Sequence, residues 1–195
     1  MVPCSAGDRS HTSAGHAPAK ANPAAVQIES LIRAIPDFPI PGILFRDITP
    51  LLGDPAGFKA TVDRFVDRFR DAKVDVVVGI EARGYMIGAP VAYALGAGFV
   101  PVRKPGKLPG AIHSEKYDLE YGTNELQIHA DAVGHGQRVL VVDDLLATGG
   151  TIAATLRLLG KLGADVIGTA VLIELEALNG RAALEGYDVT SFIKY

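Results

Sequence analysis

The chain has 195 residues, a length that suits one domain with a sizeable core and some tail. Hydrophobic residues make up 48% and charged residues 21%, which excludes a wholly disordered chain, and a formal net charge of -3 argues against a general nucleic-acid binder. The single cysteine, Cys4, excludes a disulfide framework or a cysteine metal site within one chain and fits a reducing compartment.

Residues 1 to about 24 are rich in Ala, Gly, Ser, His and Pro, lack periodicity, and read as a disordered tail before a single domain over 25–195. His11 and His16 have no carboxylate or cysteine partner nearby, so solvated tail histidines are the better reading. No apolar run is long enough for a signal-peptide core or a membrane span, and the default location is cytoplasmic.

Ile28, Leu31, Ile32 and Ile35 share one helical face, which predicts a helix over Val26 to Ile35, ended by Pro36. Pro39, Pro41 and Gly42 then make an irregular segment, with a short strand at Ile43 to Phe45. Asp54-Pro55 is a helix start, with Asp as N-cap and Pro in the first helical position. Phe58, Val62, Phe65, Val66 and Phe69 mark its buried face. DVVVGI (75–80) reads as a buried strand, followed by a helix over about Tyr85 to Leu95 and a strand at Phe99 to Val102. Strand, helix and strand in that order imply a parallel sheet with right-handed crossovers.

Residues 103–124 form a long Gly/Pro-containing stretch, basic and then polar, of the kind that makes lids or short hairpins. Ser114 to Leu119 and Glu125 to His129 are the expected hairpin strands. A strand is expected at Arg138 to Val142, then a helix, a strand at Asp165 to Ile173, a short helix at Asn179 to Leu184 and a last strand at Val189 to Ile193.

The most informative stretch is VLVVDDLLATGGTI, Val139 to Ile152. A β-branched strand is expected to end at Asp143 and Asp144, and Ala147-Thr148-Gly149-Gly150-Thr151 opens the next helix. Free amides and the positive end of the helix dipole make this a candidate anion site. Two carboxylates beside it would repel a bare anion. They suit a ligand with a phosphate at one end and hydroxyls next to it, such as a sugar phosphate. The stretch lacks the Gly-Lys-Ser/Thr of a P-loop and is not GxGxxG. Arg83, after the DVVVGI strand, lies where a parallel sheet binds ligands at its carboxyl edge, although a surface arginine paired with Glu81 is the plainer alternative.

VVDDLLATGGT resembles the signature of type I phosphoribosyltransferases, which bind 5-phosphoribosyl-1-diphosphate (PRPP). FPIPGILFRDITPLL (38–52), GIEARGYMIGAPVA (79–92), PVRKPGKLPG (101–110) and YDLEYG (117–122) are similar to the adenine phosphoribosyltransferase family, with the resemblance spanning about 26–195. It implies an α/β fold of the type I phosphoribosyltransferase kind, a mainly parallel central sheet flanked by helices with a lid or hood segment. It also implies formation of AMP and diphosphate from adenine and PRPP, with Mg2+ held mostly by substrate oxygens and water and hence no protein metal ligands. The 5′-phosphate would sit on Ala147, Thr148, Gly149, Gly150 and Thr151. Asp143 and Asp144 would face the ribose diol and favour its developing positive charge. Arg83, Arg103, Lys104 and Lys107 would meet the diphosphate, although the last three would read as a solvated basic run without the family match.

Backbone groups at Leu44 and Arg46 would meet the purine edge, with Phe45 stacking on the ring or serving as a core aromatic. Glu120 is implied as the acid/base on the purine imidazole, and Tyr121 either closes over the site or packs. The family also implies a homodimer, with the basic segment reaching a neighbouring subunit. Three competing readings remain: a phosphoribosyltransferase for another base, a PRPP-sensing regulator that binds nucleic acid, and a non-catalytic nucleotide-binding protein. A tail too short and polar for a winged helix, with an acidic balance, argues against the regulator and nucleic-acid partners, and the lack of a long apolar run argues against a membrane partner.

Overall fold

The structure is a computed structural model that describes residues 27–118 and 123–195. The tail, with Cys4, His11 and His16, therefore lies outside the described residues, as do Glu120 and Tyr121.

Five parallel strands form the central sheet: β3 (Val76–Ile80), β4 (Gly98–Val102), β7 (Arg138–Leu146), β8 (Asp165–Glu174) and β9 (Val189–Lys194), in the order β4-β3-β7-β8-β9. Two antiparallel hairpins stand outside it, β1 (Arg33–Pro36) with β2 (Leu44–Asp47), and β5 (Ile112–Asp118) with β6 (Thr123–His129). The helices are α1 (Thr49–Gly53), α2 (Pro55–Phe69), α3 (Arg83–Leu95) and α4 (Gly150–Leu162).

Side chains that alternate along the strands build two cores. Val77, Leu140, Val142, Ala170 and Leu172 pack with Phe65 and Phe69 of α2 and Ile87 and Val91 of α3. Val78, Val139, Val141 and Val171 face the other way, toward Ile152, Leu156 and Leu159 of α4 and Leu126 and Ile128 of β6. The α/β architecture and the parallel sheet expected from the sequence are both present.

Asp54 caps α2 as its Oδ1 accepts the Gly57 N–H at 2.7 Å, with Pro55 opening the helix. Phe65, Val66 and Phe69 are buried as the spacing predicts, while Phe58 and Val62 are half-buried. The helix expected over 26–35 is not formed. Ile28–Leu31 makes one 3-10 turn, and Arg33–Pro36 instead pairs with β2, with Ile35 opposite Phe45. That hairpin is pinned at its end. Arg33 donates to Asp47 Oδ2 through Nε at 3.1 Å and Nη2 at 2.6 Å, and Asp47 also accepts the Thr49 N–H and hydroxyl. Arg33 and Thr49 hold the Asp47 carboxyl down at about 2.

Candidate active site

All five strands of the central sheet run the same way, so their carboxyl ends share one edge. A cleft of about 290 Å³ opens there. Its wall is made by Glu81, Ala82 and Arg83 after β3, Lys104 after β4, Tyr117, Asn124 and Leu126 of the β5–β6 hairpin, and 143–152.

Asp143 and Asp144 lie within β7 rather than beyond it, because pairing with β8 continues to Glu174. Both are buried, at 8% and 5% exposure. Asp143 Oδ1 accepts the Asp144 N–H at 2.9 Å. Burial pushes the Asp143 carboxyl well above the usual range, and the Asp144 charge adds to the shift. Burial raises Asp144 too, against the pull of Arg83. Arg83 stands in the first turn of α3, not at the strand end, and its Nε lies 2.7 Å from Asp144 Oδ2. The N–H is not aimed at that oxygen, so Oδ2 has a charge neighbour but no hydrogen-bond partner among the described residues. A buried acceptor without a partner beside a cleft is one that a ligand hydroxyl or a bound water would satisfy. Gly84 permits the approach: a Cβ there would lie 2.9 Å from Asp143 Oδ1 and from the Val142 carbonyl.

The loop after β7 turns at Gly149, whose φ of +85° favours glycine and whose added Cβ would collide with the Gly180 carbonyl. No side chain among the described residues caps α4, so its first amides are left for a ligand. Thr151 Oγ1 donates to Tyr117 Oη at 3.3 Å, and Glu115 is gripped by Arg157 at 2.6 Å and Lys161 at 2.7 Å. The hairpin is thus docked on the helix that begins at the anion site.

The expected cations divide. Arg83 and Lys104 line the cleft, but Arg103 and Lys107 do not. Arg103 Nε lies 3.2 Å from Glu81 Oε2, and its Nη1 donates to the Lys107 carbonyl at 3.2 Å. The pairing of Arg83 with Glu81 offered by the sequence is replaced by these two ion pairs, Arg83–Asp144 and Arg103–Glu81. Leu44, Phe45 and Arg46 do not line the cleft either. Phe45 is connected to it through Arg83, whose guanidinium carbon lies 5.1 Å from the ring centroid. Leu145 and Tyr117, inside the quoted motifs but without an assigned role, and Asn124 also line the wall; single apolar or polar residues carry no local signal of such a role. Among the described residues no group of three or more His, Cys, Asp or Glu side chains is placed to hold a metal ion.

A buried acid pair followed by an uncapped, Gly-turned helix start meets the comparisons directly. The phosphoribosyl transferase domain family matches residues 52–193. The adenine phosphoribosyltransferase of Desulfitobacterium hafniense is 60% identical over 171 residues, 88% of this chain and 99% of that protein. The chain belongs to the adenine phosphoribosyltransferase family. Among solved structures, the enzyme of that name from Thermoanaerobacter pseudethanolicus superposes with a TM-score of 0.86 at 52% identity, over 88% of this chain and 100% of that one. The Saccharomyces cerevisiae adenine phosphoribosyltransferase, solved with adenine and an imino-altritol bisphosphate, gives 0.81 at 38% identity, over 86% and 97%. These family relatives share the type I phosphoribosyltransferase fold with the sheet described above.

Proposed function

We propose that the chain forms AMP and diphosphate from adenine and PRPP in the cleft at the carboxyl edge of the sheet. The observation that carries this reading is the buried Asp143–Asp144 pair, set between Arg83 and the uncapped start of α4. The 5′-phosphate accepts hydrogen bonds from the amides of Ala147 to Thr151 and from the Thr hydroxyls. The ribose diol donates to the aspartates, Asp144 Oδ2 being a buried acceptor without a hydrogen-bond partner among the described residues. Arg83 and Lys104 face the diphosphate.

In the transfer the C1′–O bond to diphosphate breaks, the electron pair leaves with diphosphate, and a bond from C1′ to purine N9 forms. The ribose carries positive charge between these events, and the two buried carboxylates stabilise it in a site with little water to screen them. The N9 proton passes to a base. Glu120 is assigned that role from its position in YDLEYG. Backbone groups of Leu44 and Arg46 read the purine edge, with Phe45 against its face. A backbone acceptor for the 6-amino group would be left unpaired by a 6-oxo purine, which is costly when buried.

The acid pair would suit a Mg2+ ion held mainly by substrate oxygens and water, since a hard cation takes oxygen ligands and Mg2+ keeps several waters. The bound ion supplies charge neutralisation on the leaving diphosphate. We also propose a homodimer, whose association would cover some of the exposed apolar side chains, among them Phe38, Ile40, Met86 and Tyr93. A cytoplasmic setting rests on the single cysteine.

The deciding assay measures AMP from adenine and PRPP with Mg2+, beside hypoxanthine, guanine and uracil. Turnover of adenine alone is expected. Turnover of another base in preference to adenine would sink the reading of residues 44–46, and no turnover of any base would sink the enzyme reading.

A further inference from the structure

Arg46 is a base-segment residue whose side chain has an unusual neighbour. Its guanidinium carbon lies 3.7 Å from the centroid of the Tyr195 ring. That is close stacking of a cation on an aromatic face. Among the described residues Arg46 forms no ion pair, so this ring is its principal fixed contact on the described surface.

Tyr195 is itself held at the same sheet edge as the cleft. It follows β9, its N–H donates to the Glu174 carbonyl at 3.0 Å, and its carbonyl accepts the Glu176 N–H at 2.9 Å. Glu174 is anchored in turn by Arg181, which donates through Nε at 2.7 Å and Nη2 at 2.8 Å, and by the Ser191 hydroxyl. The ring therefore projects from a fixed backbone. On the opposite side of the same hairpin strand, Asp47 is locked by Arg33 and Thr49. Phe45, next to Arg46 on the strand, meets Phe38 edge-on with ring centroids 5.1 Å apart.

We infer that Tyr195 is a positioning residue for the base. By stacking on Arg46 it fixes the backbone of Leu44 to Arg46 relative to the carboxyl edge, where the sugar phosphate is held. The inference rests on the proposed adenine reading of that segment. Backbone recognition has no side chain to adjust, so it depends on where the strand is placed. A strand tied to the hairpin alone could move relative to β7. A strand tied to β8 and β9 through Tyr195 cannot do so without losing the stack.

The test is steady-state kinetics of the full chain and of Tyr195→Leu, Tyr195→Phe and Arg46→Gln, with KM for adenine and for PRPP measured separately. Tyr195→Leu should raise KM for adenine about three- to tenfold, the scale of a lost cation–π contact, and leave KM for PRPP and Tm unchanged. Tyr195→Phe keeps the ring and should behave as the parent. Arg46→Gln should match Tyr195→Leu, and the double variant should add nothing further. An unchanged adenine KM in Tyr195→Leu overturns the inference while AMP formation by the parent stands. Equal losses for both substrates, or a lowered Tm, make Tyr195 a structural residue and also overturn it. A parent chain that forms no AMP from adenine overturns both this inference and the reading beneath it.

Discussion

Arg83 and Asp144 meet with Nε 2.7 Å from Oδ2, the cation partly exposed and the carboxylate buried. The contact joins α3 to β7 across the floor of the cleft. It also places a positive charge between the ribose site and the ring of Phe45. Arg83→Gln should lower kcat/KM about a hundredfold, the scale of removing one preorganised charge partner. Arg83 holds the Asp144 carboxyl down against burial. Without it that carboxyl rises further, and the acid limb of the pH–rate profile should move to higher pH. A profile with an unmoved limb would show that Asp144 ionisation does not limit the rate.

Asp143 is expected to trade stability for chemistry. Its folded carboxyl sits well above the ordinary value of 3.8, because of burial first and the Asp144 charge second. A raised folded value favours the fold below about pH 3.8, and that contribution disappears as pH rises through the folded value. Above about pH 3.8 the unfolded chain ionises this group more readily than the fold does, so at neutral pH the buried carboxyl costs stability relative to acid pH. Asp143→Asn should raise Tm at pH 7.5 by about 2–4 °C per kcal/mol recovered while lowering kcat by about a hundredfold. Thermal unfolding and turnover on the same sample check both. A lower Tm would mean that the carboxylate is stabilised by a contact beyond the Asp144 N–H.

Gly149 is expected to tolerate no side chain. Alanine at φ +85° is strained by about 1–3 kcal/mol, and its Cβ would press on the Gly180 carbonyl and the Ala183 side chain. Gly149→Ala should raise KM for PRPP at least tenfold and affect KM for adenine far less. Equal changes in both would place the damage outside the phosphate loop.

Glu174 provides an acid-sensitive anchor for the far edge of the sheet. Arg181 and Ser191 hold its carboxyl at about 2, below the ordinary 4.5. A lowered folded value adds stability that is full above about pH 4.5 and is lost as pH falls toward 2. Glu174→Gln should cost about 1–3 kcal/mol at neutral pH, a figure that allows for the half-exposed Arg181. It should also flatten the decline in Tm between pH 4.5 and 2. The flattening is partial, because Asp47 titrates in the same window.

Local rules reached the elements whose signals are local. Asp54-Pro55 opens α2, Val76–Ile80 is a fully buried strand, and the Gly/Thr turn opens α4. They failed where a distant partner decides. Ile28, Leu31, Ile32 and Ile35 have helical spacing, yet Ile35 is taken by Phe45 across the hairpin. Arg103 looked like a free cation beside Lys104, but Glu81, 22 residues earlier, captures it. Asp143 and Asp144 read as the end of a strand, but β8 extends the ladder past them. The acid pair and anion loop were legible because their chemistry lies within one stretch. Tyr117, reaching Thr151 from 34 residues away, was not.

The cleft wall draws on four separate passages of the chain, at 81–83, at 104, in the β5–β6 hairpin (Tyr117, Asn124 and Leu126) and at 143–152. None of these closes on itself. Each is brought to the edge by a different strand or by the hairpin, so local refolding of one passage cannot rebuild the cleft. Turnover is therefore a reporter of global integrity: in a denaturant titration, enzymatic activity and far-ultraviolet ellipticity should be lost over the same concentration range.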